Sequence, residues 1–271
     1  MHLEAELYSP EGNCQYRLAP IPLELLHDSI VALVDDKILA CGGYQSRNCY
    51  QYLPNSDSWS FFSTGNFYHF GLPGRVFSNK LYIVDDANPE VLDPASNTWT
   101  SWPTPLKKTD LGPCLVPWKD TFILLGGRIN KNGIQMFNHT SNTWQIVESS
   151  SVPMDMAFSA CALLPNDQIL VSGSDYDISD AFAALYNISA NTWQELPDAS
   201  VHRRANSLVT LGTRVFDIHS SEENFTMEFH YNNNTWSQVE GQLIYPRLYY
   251  AAIAVPAEMF QHLPGGCVGV Q

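Results

Sequence analysis

The chain has 271 residues, 45% of them hydrophobic and only 15% charged, with a formal net charge of −14. That length and apolar content suit one large domain with a sizeable core and exclude intrinsic disorder. The acidic balance argues against nucleic acid and anionic membrane surfaces, and no apolar run of about 18 residues exists to cross a bilayer.

In chain order, the N-terminal MHLEAELYSPEGNCQY has neither a basic n-region nor an apolar h-region and does not read as a signal peptide. Within it, YSPEGNCQ (8–15) sets Tyr8, Pro10 and Asn13 in a register that recurs downstream. SIVALV (29–34) and KILACGG (37–43), split by Asp35-Asp36, predict two short strands buried on both faces. CLVP (114–117) with FILLGG (122–127), and CALLP (161–165) with QILVSG (168–173), repeat the pair. After each pair comes a third strand, an Asn/Ser turn and an outer strand with tryptophan: YLPNSDSW (52–59), LDPASNTW (92–99), FNHTSNTW (137–144), YNISANTW (186–193) and FHYNNNTW (229–236). The tryptophans at 59, 99, 144, 193 and 236 lie 40 to 49 residues apart, blade length for a propeller of four-stranded sheets.

At the C-terminus, YYAAIAVP (249–256) predicts a further inner strand, with FQHLPGG (260–266) as its partner. The N-terminal copy holds only third and fourth strands. The two ends, about 1–20 and about 245–271, are therefore expected to share one blade and close the ring. The expected fold is all-β: one domain, a six-bladed β-propeller of four-stranded antiparallel blades.

The strand ending in Gly-Gly, followed by the aromatic-x-P-x-x-N-x-W pattern, resembles the kelch repeat, with the galactose-oxidase-type central domain as a wider relative. The Gly pair stands at Gly42-Gly43, Gly126-Gly127 and Gly265-Gly266. Asp85-Asp86, Gly173-Ser174 and His219-Ser220 take its place elsewhere, where the loops are expected to be reshaped. The resemblance implies three kinds of function. One is a binding module. Another is a small-molecule enzyme like the stand-alone sialic acid mutarotase, a mutarotase or epimerase on a kelch propeller. The last is an intracellular scaffold like the substrate-binding domain of ubiquitin-ligase adaptors.

Antiparallel pairing puts the start of each inner strand and each loop after the second strand on one face, the top, and the turns before tryptophan on the other. His27, His69, Asp110, Arg204, Arg247 and Tyr249 then converge at the top with Tyr44 and Arg128. Arginines and aromatics at a channel mouth can grip a carboxylate or an acidic loop; the same arginines could instead clamp neighbouring blades. No zinc, phosphate-loop, dinucleotide or nucleophile-elbow motif occurs. In SDYDISD (174–180), Asp180 and Tyr186 occupy the positions where a calcium loop needs glycine and glutamate. No metal or cofactor is expected, and no residue is assigned a catalytic role.

Of six cysteines, Cys41 and Cys49 end and begin adjacent strands and are expected to bridge. Cys14 and Cys267, one from each chain end, are a second candidate pair, while Cys114 and Cys161 read as buried free thiols. Asn138, Asn187, Asn224 and Asn233 head glycosylation sequons, although turn composition alone supplies Asn and Thr there. Together these favour a secreted, glycosylated, monomeric protein over a cytoplasmic one. It would hold a protein or glycan ligand at its top face, without nucleic acid or membrane insertion.

Overall fold

The structure, a computed structural model, describes residues 4–12, 14–25, 28–43, 45–148, 156–173, 182–197, 207–218, 225–244 and 251–263. After an N-terminal hairpin of β1 (Ala5–Tyr8) and β2 (Gln15–Leu18), the strands fall into five antiparallel four-stranded sheets. The first holds β3 (Ile30–Val34), β4 (Lys37–Cys41), β5 (Asn48–Leu53) and β6 (Ser58–Thr64); the second β7 (Gly74–Phe77), β8 (Lys80–Ile83), β9 (Glu90–Asp93) and β10 (Thr98–Ser101). The third holds β11 (Cys114–Trp118), β12 (Thr121–Leu125), β13 (Ile134–Asn138) and β14 (Thr143–Ile146). The fourth and fifth run β15 (Ala160–Leu163), β16 (Gln168–Ser172), β17 (Ala183–Asn187), β18 (Thr192–Glu195), then β19 (Ser207–Leu211), β20 (Arg214–Ile218), β21 (Phe225–His230), β22 (Thr235–Gln242). Within each sheet the strands pair in chain order, and the first strands of successive sheets lie against one another. This is a β-propeller with the first strand of each blade innermost.

The repeat has a local cause. The Asn or Asp two residues before tryptophan takes a left-handed backbone in every sheet: Asp57, Asn97, Asn142, Asn191 and Asn234 have φ between 43° and 56°. Asn and Asp are the side chains that tolerate this region best after glycine. Opposite each tryptophan, the residue seven earlier pairs directly across the strands, as Phe137 does with Trp144 and Tyr186 with Trp193. Where that residue is tyrosine, its hydroxyl donates to the turn residue: Tyr52 to Asp57 (2.6 Å) and Tyr186 to Asn191 (3.0 Å). In the first three sheets the tryptophan ring N–H reaches back to the preceding part of the ring. Trp59 donates to Ala19 O, Trp99 to Ser63 Oγ and Trp144 to Pro103 O.

Apolar clusters fill the space between neighbouring sheets. Ile30, Ala32 and Val34 of the first meet Leu81 and Ile83 of the second, and Phe122 and Phe137 of the third meet Tyr82 of the second. A last cluster joins Tyr52, Trp59 and Ile38 of the first sheet to Leu7, Tyr16, Ile253, Phe260 and Leu263 from the two ends of the chain. On its other side the N-terminal hairpin is held by the fifth sheet. Tyr8 Oη donates to Gly241 O, Gly241 N to Pro10 O, and Arg214 bridges Glu11 and Glu228.

The closure differs from the expected sixth four-stranded blade. Tyr8 to Gln15 is a hairpin turn as expected, and both ends meet at one seam. The C-terminal residues 251–256, however, form no strand, and Ala257–Phe260 is a 3-10 turn. Pro256 heads this turn with φ −61°; without an N–H it cannot extend a ladder. Among the described residues, five four-stranded sheets and a two-stranded hairpin are therefore found where six blades were expected. The cysteines also differ. Cys41 and Cys49 are direct cross-strand partners and bonded, as expected. Cys114 and Cys161 are not free thiols but a disulfide linking the inner strands of the third and fourth sheets. Cys114 is level with Ala160, so Cys161, one residue further along, projects from the opposite face of its strand and meets Cys114 between the sheets, with Cα atoms 6.0 Å apart, within bonding range. Cys14 is also disulfide-bonded; Cys267 lies outside the described residues.

The Gly-Gly corners confirm their conformational role. Gly42, Gly43, Gly126 and Gly127 all have φ between 67° and 109°. The register places Asp85-Asp86 level with Gly42-Gly43, the replacement expected in the second sheet. A Cβ on Gly126 would strike Met156 O, whereas at Gly212 (φ 62°) it would meet open space. Gly126→Ala is expected to lower stability by about 3 kcal/mol, from the left-handed backbone and the clash together. Gly212→Ala carries the backbone cost alone, about 1 kcal/mol. Urea unfolding of the two variants checks this; equal losses would remove the steric part.

Candidate functional site

The top face of the first three sheets is built from loops 65–73, 102–113 and 126–133, tied edge to edge by backbone hydrogen bonds. Gly43 N donates to His69 O, Gly112 N to Gly71 O, Arg128 N to Leu111 O and Ile129 N to Thr109 O. Gly71 and Gly112 occupy equivalent left-handed positions just before their inner strands, at φ 63° and 67°.

Carboxylates and an amide fasten these loops from below. Glu90, on the third strand of the second sheet, accepts from Asn66 N, Asn66 Nδ2 and Phe67 N. Gln135 occupies the same position in the third sheet, two residues before the aromatic opposite tryptophan. It accepts from Lys107 N and donates to Lys107 O, both at 2.8 Å. Asp86 accepts from Thr109 N, Thr109 Oγ1 and Asp110 N.

His69 closes the first of these anchors. Its Nε2 lies 3.0 Å from Glu90, and its Nδ1 lies 3.6 Å from Asp85, an ion-pair distance rather than a hydrogen bond. His69 is 2% exposed and Glu90 0%. Burial works against the imidazolium, but Asp85 and Glu90 more than offset it, so the His69 pKa stands above its ordinary value. Burial likewise opposes the two carboxylates, and His69 with the loop N–H donors holds both pKa values low. This is a buried carboxylate–imidazolium–carboxylate set that fixes the loop carrying Tyr68.

Above the anchors, the loops present apolar side chains to solvent. Tyr68 is 60% exposed, Leu106 57% and Ile129 65%; Leu23, before the first inner strand, is 66%. Exposed cations stand among them. Arg47 lies over the Tyr68 ring with its guanidinium carbon 5.6 Å from the centroid, and Lys107 and Lys108 follow Leu106. Arg128 is bound to Asp110, Nε to Oδ2 at 2.6 Å. In a chain with twice as many acidic as basic residues, this concentration of cations on one surface is a local reversal of sign.

The structure thus brings Asp110 and Arg128 together on the top face and buries His69 beneath it. His27, Tyr44, Arg204, Arg247, Tyr249, Asn224 and Cys267 lie outside the described residues. Asn138, Asn187 and Asn233 sit at the opposite end, in the turns before tryptophan. Asn138 Oδ1 and Asn187 Oδ1 accept from Ser141 N and Ala190 N, the turn contact that Asp93 makes with Ser96 N. Sequence reasoning missed Tyr68, Leu106 and Ile129 because it sought charge and hydrogen-bonding groups. The available signal was large apolar residues in loops also rich in Gly, Pro, Asn and Lys.

No protein-family model matches the chain. A 97-residue stretch is 31% identical to "Immune evasion protein OPG047" of Vaccinia virus, strains Ankara and Western Reserve, and 30% identical to that of Monkeypox virus. The stretch is 35% of this chain, and it spans only 20% of the length of these curated relatives. The solved structure of YjhT superposes with a TM-score of 0.71, covering 87% of this chain and 91% of that one, at 13% identity. That likeness is one of fold. Chain order, sheet topology and this neighbour together define the class: a β-propeller.

Proposed function

We propose that this chain is a protein-binding module of the kelch type that seats a partner on the top face of its first three sheets. The observation that carries the reading is the surface of Tyr68, Leu106 and Ile129 flanked by Arg47, Lys107 and Lys108. Burying such side chains contributes about 2 kcal/mol each, and the surrounding cations favour an acidic partner surface. The partial likeness to poxvirus immune evasion proteins supports a partner belonging to host defence. Ile129→Asp is expected to reduce capture of any partner at least tenfold, as judged by quantitative mass spectrometry of proteins retained from cell-surface and secreted fractions. Leu211→Asp, which alters a 41%-exposed apolar residue in the turn at the opposite end, should leave capture intact. If no retained protein distinguishes the two variants, the top-face reading is wrong.

The same proposal places the protein outside the reducing cytoplasm. Two internal disulfides and a bonded Cys14 support this, as do sequons at the end away from the binding face. Thiol titration of the denatured, unreduced secreted protein should find none, and deglycosylation should shift the masses of peptides bearing Asn138 or Asn187. Six titratable thiols would exclude the extracellular assignment.

A further inference from the structure

Among the described residues, five of the six joints of the ring are built alike and one is not. Where each sheet meets its predecessor, the outer-strand tryptophan packs into the apolar cluster of that joint. Trp59 does so against the hairpin, Trp99 and Trp144 between the first three sheets, and Trp193 and Trp236 between the last three. Where the hairpin meets the fifth sheet, Gln15 stands in the tryptophan position and is exposed. The cluster that holds the hairpin, with Leu7, Tyr16 and Leu18, takes in the first sheet and the segment 253–263 but no described residue of the fifth sheet.

Polar contacts hold this joint instead. Tyr8 Oη donates to Gly241 O at 3.1 Å, Gly241 N donates to Pro10 O at 3.0 Å, and Ile244 N donates to Glu6 Oε2 at 2.8 Å. Arg214 spans the joint with its guanidinium. Nε and Nη2 hold Glu228 of its own sheet, at 2.8 and 2.7 Å, and Nη1 holds Glu11 in the hairpin turn. The two backbones approach so closely that a Cβ on Gly241 would strike Ser9 O. A hydrogen bond is exchanged for one to water at little net cost, whereas pulling a tryptophan out of an apolar cluster exposes all the surface it had buried. The Arg214 side chain is 42% exposed and that of Glu11 29%, so their attraction is also screened by salt. This joint is therefore the one that parts at least cost.

We propose that the ring opens reversibly between the N-terminal hairpin and the fifth sheet, with Arg214 and Glu11 as the latch, while the five tryptophan joints stay closed. The hairpin remains on the first sheet, where Ala19 N donates to Asp57 and Trp59 Nε1 donates to Ala19 O. Opening frees the Gly241 and Ile244 N–H groups together, because both acceptors leave with the hairpin. Strength of the latch falls as ionic strength rises, which makes the joint a salt-sensitive gate in an otherwise apolar ring.

Hydrogen exchange followed amide by amide in the intact, oxidised protein tests the gate. The Gly241 and Ile244 amides should exchange with one common opening constant, at least about a hundredfold larger than that of the ladder amides of β12 and β16. Raising the ionic strength from about 0.1 to about 1 M should speed both. Glu11→Ala, whose lost carboxylate bonds to neither amide, should speed both about tenfold and remove their salt response. Lys119→Ala breaks an ion pair of similar exposure, Lys119–Asp167, between turns of the third and fourth sheets, and should leave both rates unchanged. The wild-type rates decide the matter even where a variant folds poorly. Exchange at Gly241 and Ile244 no faster than in β12 and β16, or with unrelated rates and salt responses, would overturn the proposal. So would acceleration by Glu11→Ala that extends equally to β12 and β16, or that Lys119→Ala reproduces.

Discussion

Replacing His69 with leucine is expected to destabilise the protein by about 3–5 kcal/mol, because it leaves Glu90 buried without its cation. The loss should be pH-dependent in a defined way. The raised His69 pKa means that its stabilisation is complete below its unfolded value, about 6.5, and disappears as pH rises through the higher folded value. Asp85 and Glu90, with lowered pKa values, stabilise fully above their unfolded values of about 3.9 and 4.3, and lose the contribution as pH falls through the folded ones. Wild-type stability should therefore peak near pH 5–6.5 and decline toward pH 9, and His69→Leu should flatten the alkaline decline. The repeat itself supplies a repair. Gln135 holds the next loop from the equivalent position without charge, so Glu90→Gln added to His69→Leu should recover part of the loss. Denaturant titrations from pH 4 to 9 measure all three proteins. A double variant no more stable than His69→Leu would show that the buried charge is not the source of the cost.

Removing the Cys114–Cys161 bond by paired alanine substitution is expected to cost roughly 4 kcal/mol, since it closes a 47-residue separation in the unfolded chain. Removing Cys41–Cys49, with a separation of 8, should cost roughly 2.5 kcal/mol. All four sulfurs belong to buried residues, so the small cavities left by alanine are common to both variants and the loop length decides their order. Guanidinium midpoints of the two double variants provide the comparison; the reverse order would mean that native-state packing, not chain entropy, dominates.

Much of the fold could be read from the chain because its signals are local. A left-handed turn selects Asn142, a cross-strand pair selects Phe137 with Trp144, and a glycine corner selects Gly126-Gly127; each is decided within a few residues. What was misread depends on contacts between distant segments. Whether residues 249–256 pair as a strand depends on the partner available at the seam, and Pro256 turns the described part of this segment away from ladder pairing. Cys114 and Cys161 each resemble an apolar residue within their own strand; only the juxtaposition of two inner strands makes them partners. The candidate site was legible in charge but not in shape. Asp110 and Arg128 were expected at the top and do meet there, whereas the exposure of Tyr68, Leu106 and Ile129 follows from how Glu90, Asp86 and Gln135 pin the loops. His69 was placed in the right loop, but its ring points inward because two carboxylates lie beneath it.

In the first three sheets the N–H bonds of the outer-strand tryptophans point backward along the chain, from Trp59 to Ala19, Trp99 to Ser63 and Trp144 to Pro103. Each therefore becomes available as soon as its own outer strand has been made, without waiting for any later residue. A chain emerging from the ribosome can secure these blades one after another onto what is already folded, like turns of a ratchet. The seam obeys the opposite rule. Tyr8 must wait for Gly241, and Glu6 for Ile244 N, more than 230 residues later. During synthesis the first hairpin is thus without its fifth-sheet partner, and its capture is the step that converts a growing arc into a ring.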